Sequence, residues 1–343
     1  MDSITQVLLG SAVAAGVAPQ GYRKRAILTG AVLGTLPDLD VFMHYASDVD
    51  NFTHHRGFSH SLLLLPIVAL VLLPLLRRFY RAITWGRLYL LIVLPLVTHP
   101  MLDALTAYGT QLFYPIGVSP TFFASIFIID PLYSLWLLAG VILYLFSPRL
   151  RWANSAALII STLYLGLGIG LQSLAKAELA KAYPQTKADQ WFVGALTASP
   201  LCWHGVYKDE AHYIETAFNV LNPGEMAAQQ YSILPPSAYP ASADWARLQW
   251  FNPNTVLRRR GQQLISSDLR MGEFGFYPFE FIIAPERDSG QRIPLSTDSV
   301  FTEKRWQADS VNAAAKRYAA RNNEPSFPKY KWSQFMRCLT GGS

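Results

Sequence analysis

The sequence predicts an α-helical transmembrane bundle of about six helices over residues 1–172, followed by a soluble α+β domain over residues 173–343. Three observations lead there. Charge is scarce and uneven: 51% of the 343 residues are hydrophobic and 15% charged, whereas an average soluble domain is about a quarter charged. Residues 1–172 hold 10 Lys/Arg and 7 Asp with no Glu, leaving 19 Lys/Arg and 16 Asp/Glu for residues 173–343. Long apolar runs recur through the first half, and basic residues cluster in alternate connections between them. These features exclude a disordered chain, a collagen or coiled coil, and a single soluble globule. The net charge of +6 calls for no nucleic acid, because a positive-inside membrane protein carries the same sign.

The apolar runs cover residues 4–18, 26–37, 62–76, 88–107, 132–146 and 153–171. A bilayer core needs roughly 20 helical residues. Several runs fall a little short, so core helices of a soluble α domain are the plain alternative. Repetition and near-absence of charge favour the membrane. Arg23, Lys24 and Arg25 follow the first run, Arg77, Arg78, Arg81 and Arg87 the third, and Arg149 and Arg151 the fifth. Only Arg56 lies on the other side, so the basic side is expected to be cytoplasmic. The start Met1-Asp2-Ser3 has no basic residue ahead of its apolar run, which fits a retained first helix better than a secretory signal. The tail is expected in the periplasm of a multi-pass inner-membrane protein. In it, residues 190–207 and 274–284 read as strands and 313–322 as a helix. Cys202 and Cys338 are too few for a disulfide framework or a cysteine metal cluster. They can form one bridge if the tail is outside the cytoplasm, and the reading leans against it.

Four groups of metal-type ligands fall on the outer side. Asp38 and Asp40 close the second run, where Pro37 loosens the helix and is expected to let both carboxylates face one point. His55, Arg56 and His60 lie in His54-His55-Arg56-Gly57-Phe58-Ser59-His60-Ser61. His99 and Asp103 are four apart on one helical face. Asp130 precedes the fifth run. Ionisable groups at membrane depth mark functional sites by default. A His/Asp set suits zinc, manganese or iron, and a metal-activated water can attack a phosphorus centre. Arg56 offers a forked donor to a phosphate. Each piece has a plain structural alternative: the carboxylates as helix caps, His54, His55 and His44 as loop residues, Ser59 and Ser61 as caps, and HxxxD as a hydrogen bond. Their conjunction on one face favours a site.

At these residues the chain resembles the YdjM-like family of bacterial inner-membrane proteins, described as membrane-bound metal-dependent hydrolases. The resemblance rests on Met1-Asp2-Ser3-Ile4-Thr5-Gln6, Pro37-Asp38-Leu39-Asp40, His55-Arg56-Gly57-Phe58-Ser59-His60-Ser61, His99-Pro100-Met101-Leu102-Asp103 and Asp130-Pro131. It implies a distant similarity to zinc-dependent phospholipase C, with Asp38 and/or Asp40, His55 and/or His60, His99 and Asp103 as ligands. Many relatives carry a histidine near position 6; here Gln6 stands there, so that either Asp2 nearby substitutes as a ligand or one ion of the cluster is missing. The expectation is a hydrolase of lipid or lipid-linked phosphoesters. Asp2, Asp38, Asp40, His60, His99 and Asp103 hold the metal, His55 and Asp130 complete or orient the shell, and Arg56 binds phosphate. Amide or carboxyl-ester hydrolysis uses the same metal chemistry. A transporter using the same residues, or a non-catalytic assembly protein stapled by its metal, are the competing classes.

Overall fold

A computed structural model describes residues 1–196, 199–223, 226, 228–235, 238–260, 263–272, 277–283 and 338. The chain divides into two units, Met1–Gly170 and Leu171–Ser343. Every apolar run becomes a helix: α1 (Ser3–Val17), α2 (Arg23–Thr35), α4 (Leu65–Arg77), α5 (Trp85–Ala104), α6 (Pro131–Phe146) and α7 (Arg151–Ala182, which belongs to the second unit from Leu171 on), with a short α3 (Asp48–His54) between α2 and α4. Asp2 caps α1 by accepting from the Thr5 amide, and Asp130 caps α6 by accepting from the Tyr133 amide. Glycines let α1 and α2 meet backbone to backbone. A Cβ on Gly10 would lie 2.2 Å from the Gly30 carbonyl oxygen, and one on Gly30 would lie 2.1 Å from that of Gly10.

The basic connections gather at one end. The last carbonyls of α1 are capped by arginines from other helices, Val17 by Arg87 at 2.7 Å and Gly16 by Arg151 at 3.1 Å. Arg25 donates to the Phe79 carbonyl, and the Arg23 guanidinium lies 5.7 Å from the Tyr144 ring. Cations there meet the negative ends of helix dipoles. At the opposite end the Asp2 amide donates to the Ile128 carbonyl, and the Met1 amino group contacts Asp103. The six helices therefore alternate in direction.

Helix length does not support the six-span expectation. Among the described residues, two helical segments are long and apolar enough to cross a membrane, Trp85–Ala104 and Pro148–Ala182; a third counts if Asp48–His60 and Leu65–Arg77, bent by 59°, form one span. At 15 and 16 residues α1 and α6 are shorter. α2 has only 13 residues, opens on three basic side chains, and is cut off by Pro37, which lacks the amide a further turn needs.

The second unit is built of antiparallel sheet. One sheet runs β1 (Trp191–Ala195), β2 (Cys202–Lys208), β3 (His212–Asn219), β4 (Ala228–Ser232) in that order; after α8 (Ala243–Phe251), the other runs β5 (Thr255–Arg260), β6 (Gln263–Asp268), β7 (Glu280–Ile283). Trp203 and Leu179 are fully buried, in one core with Trp191, Val193 and Phe218. β1 falls within the predicted 190–207 segment and β2 passes its end by one residue, with 197–198 outside the described residues; β7 falls within 274–284, of which 274–276 and 284 lie outside the described residues, as does the predicted helix 313–322. Cys202 and Cys338 are bridged, against the leaning of the sequence reading. Their partnership spans 136 residues, a distance over which spacing says nothing.

Candidate metal centre

Pro37 opens a 3-10 turn, Pro37–Phe42, that carries both carboxylates. Two residues along such a turn rotate by about 240°, so Asp38 and Asp40 point to different partners rather than to one point. Asp38 Oδ1 lies 3.4 Å from His60 Nε2 and 3.3 Å from His99 Nε2. Asp40 turns to the loop: Oδ1 meets His55 Nδ1 at 2.8 Å, and Oδ2 accepts from the Arg56 amide at 2.9 Å and the Ser59 hydroxyl at 2.6 Å. Burial pushes the Asp40 carboxyl up, but the hydrogen bonds from His55 and Ser59, with the charge of His55 and His60, hold it below the ordinary carboxylate range.

His60 ends a second 3-10 turn, Phe58–His60. His99 and Asp103 share one face of α5, and Asp103 Oδ2 lies 3.3 Å from His60 Nε2 and 3.4 Å from His99 Nε2. The two Nε2 atoms are 3.1 Å apart. One donor atom from each of Asp38, His60, His99 and Asp103 lies within 4.8 Å of the others. His60, His99 and Asp103 are fully buried, while the Asp38 side chain keeps 21% exposure.

The other nitrogen of each imidazole fixes what these Nε2 atoms are. His99 Nδ1 is 2.6 Å from the Gly34 carbonyl oxygen, which can only accept, so Nδ1 carries a proton. The Ser59 hydroxyl proton goes to Asp40, so the Ser59 oxygen, 2.9 Å from His60 Nδ1, accepts there. In its neutral form each ring so held presents a lone pair at Nε2, and the two Nε2 atoms face each other and two carboxylate oxygens in a buried place. Such a set calls for positive charge. Five of the six donor–donor distances are 3.1–3.4 Å, the edge length of a tetrahedron whose centre is about 2.0 Å from each corner, the length of zinc bonds to imidazole or carboxylate, and the sixth, between Asp38 and Asp103, is within 4.8 Å. The residues fit a divalent ion, and they surround a single point.

The remaining predicted site residues stand around that group or apart from it. His55 pairs with Asp40, with 26% of its side chain exposed. Arg56 is not an open phosphate fork: it is 3% exposed, in a left-handed conformation at φ 60°. Its Nε is 3.2 Å from Asp103 Oδ2, close enough for an ion pair though not aligned as a hydrogen bond. Nη1 donates to Thr106 Oγ1, and the guanidinium lies 5.0 Å from the Tyr108 ring. Asp2 and Asp130 are occupied as caps. Asp2 accepts from the Thr5 amide and hydroxyl, and Asp130 Oδ2 accepts from the Tyr164 hydroxyl at 2.8 Å. Neither belongs to the four-donor group. His54 stacks on Tyr45 with ring centroids 4.3 Å apart, away from it. Sequence reasoning missed Gly34 and Ser59 as orienting partners, and gave Gln6 no contact of its own. A lone amide in the apolar stretch of α1 was the available signal for Gln6.

Comparison with known proteins covers the region that carries this geometry. The sequence profile described as YdjM inner membrane protein matches residues 1–176. The chain belongs to the YdjM inner membrane protein family. Inner membrane protein YbcI of Escherichia coli (strain K12) is 31% identical over 107 residues, 31% of this chain and 61% of that protein. The uncharacterized protein YfhP of Bacillus subtilis (strain 168) is 29% identical over 143 residues, 37% of this chain and 43% of that protein. The chain thus spans less than two thirds of the length of either relative. No solved structure matches. A likeness to zinc-dependent phospholipase C is not among these findings.

Proposed function

We propose that this YdjM-family protein is a multi-pass inner-membrane hydrolase that uses a divalent metal, zinc by preference, to cleave a phosphoester of a lipid or lipid-linked molecule on the periplasmic side. The observation that carries the reading is the convergence of Asp38, His60, His99 and Asp103, with both imidazoles held in the tautomer that binds metal. A bound dication supplies an acidified water as nucleophile and offsets charge on a phosphoryl oxygen. The chain's own groups do the rest. Gly34 and Ser59 orient the imidazoles, and Arg56 balances the charge of Asp103. His55, with Nδ1 tied to Asp40, keeps Nε2 for moving a proton at the partly exposed rim. Asp38 marks the open side. The gathering of basic residues at the other end supports a cytoplasmic placement there. The Cys202–Cys338 bridge supports an oxidising compartment for the second unit.

The test is release of phosphate or a phosphorylated head group from mixed lipids by the purified protein. Release that stops with a chelator and returns with zinc is expected; release that survives complete metal removal contradicts the reading. One observation favours a second reading, a metal that only staples the helices: four protein donors surround one point, as in closed structural sites. A metal-loaded protein that hydrolyses no lipid or model phosphoester would support that one instead.

A further inference from the structure

We propose that Gln6 is a positioning residue of the metal centre, whose amide fixes Asp103 so that Oδ2 alone is presented to the ion; this rests on the metal-centre reading above. Gln6 is fully buried in α1. Its Nε2 donates to Asp103 Oδ1 at 3.0 Å and to the His99 carbonyl at 3.3 Å, so one side chain grips both ligand-bearing residues of α5. Asp103 then divides its oxygens. Oδ1 is held by Gln6 and by the Met1 amino group, and Oδ2 faces His60 and His99, with Arg56 Nε 3.2 Å to its side. A carboxylate free to turn about its last bond would exchange the two; a fixed donor on one of them prevents it.

Two further observations concern the place of Gln6. Gln6 Oε1 is buried and has no hydrogen-bond partner among the described residues, an arrangement tolerated where a local rule yields to a site. The backbone of Gln6 is also pressed against α2: a Cβ on Gly34 would come within 2.4 Å of the Gln6 carbonyl oxygen. Gly34 is the residue whose carbonyl orients His99. The same α1–α2 contact therefore sets the grip on Asp103 and the tautomer of His99.

The experiment is a double-mutant cycle on the full chain, reading zinc affinity by competition with a chromophoric chelator. Gln6→Met keeps length and removes the donor; it is expected to weaken zinc binding about 10–100-fold and to shift the absorption bands of the cobalt-substituted protein. In an Asp103→Ala background the same substitution is expected to add little, because the group it positions is gone. Wild-type affinity in Gln6→Met, or an equal loss in both backgrounds, overturns the proposal while leaving the metal centre standing. A wild-type chain that binds no zinc overturns the centre itself, and the proposal with it. If Gln6→Met does not fold, Gln6→Asn, one methylene too short to reach, takes its place with the same expectations.

Discussion

Replacing Gly34 with alanine tests how helix packing builds the site. The added Cβ would sit 2.4 Å from the Gln6 carbonyl oxygen and 3.1 Å from Gly10 Cα, where ordinary contact begins at 3.4 Å. Both obstacles are backbone, so no rotamer relieves them, and α2 must withdraw from α1 by about 1 Å. The Gly34 carbonyl moves with α2, and its 2.6 Å contact with His99 Nδ1 stretches past the range of a good hydrogen bond. Losing such an orienting partner costs about 10–100-fold in metal affinity, or about 1.4–2.8 kcal/mol. Competition titration against a chelator reads the loss directly. Gly86→Ala is the control, since a Cβ there meets nothing within 4 Å. Equal zinc affinity in Gly34→Ala and Gly86→Ala would refute the argument that the α1–α2 contact sets the ligand geometry.

Asp130→Ala should lower thermal stability by about 1 kcal/mol, the worth of an N-cap, while zinc content stays at the wild-type value; a loss of metal would return Asp130 to the centre. For topology, a cysteine placed at Arg78 should react with an impermeant thiol reagent only from the cytoplasmic face, and one at Lys187 only from the periplasmic face; the reverse pattern would invert the membrane orientation.

Periodicity made part of this molecule legible. Four-residue spacing on a helix carries its own geometry, so His99 and Asp103 could be placed together before any tertiary contact was known. The apolar runs likewise mark all six long helices of the first half, although α2, which opens on three basic residues and stops at Pro37, and the short α1 and α6 do not reach the length of a membrane span. What stayed hidden depends on turns and on distant contacts. Asp38 and Asp40 diverge because the chain tightens into a 3-10 turn, a choice that one proline does not specify. Arg56 looked like a free phosphate donor because only the tertiary fold brings Asp103 and Tyr108 to it. Ser59 gains meaning only once Asp40 is known to take its proton. The partners of the second unit's strands, and the bridge from Cys202 to Cys338, are likewise contacts at long range.

The most direct measurement is the metal content of the purified protein. Elemental analysis should find one divalent ion per wild-type chain and a marked loss in each of His99→Ala and Asp103→Ala. A wild-type chain without stoichiometric metal, or undiminished content in both variants, would contradict the account.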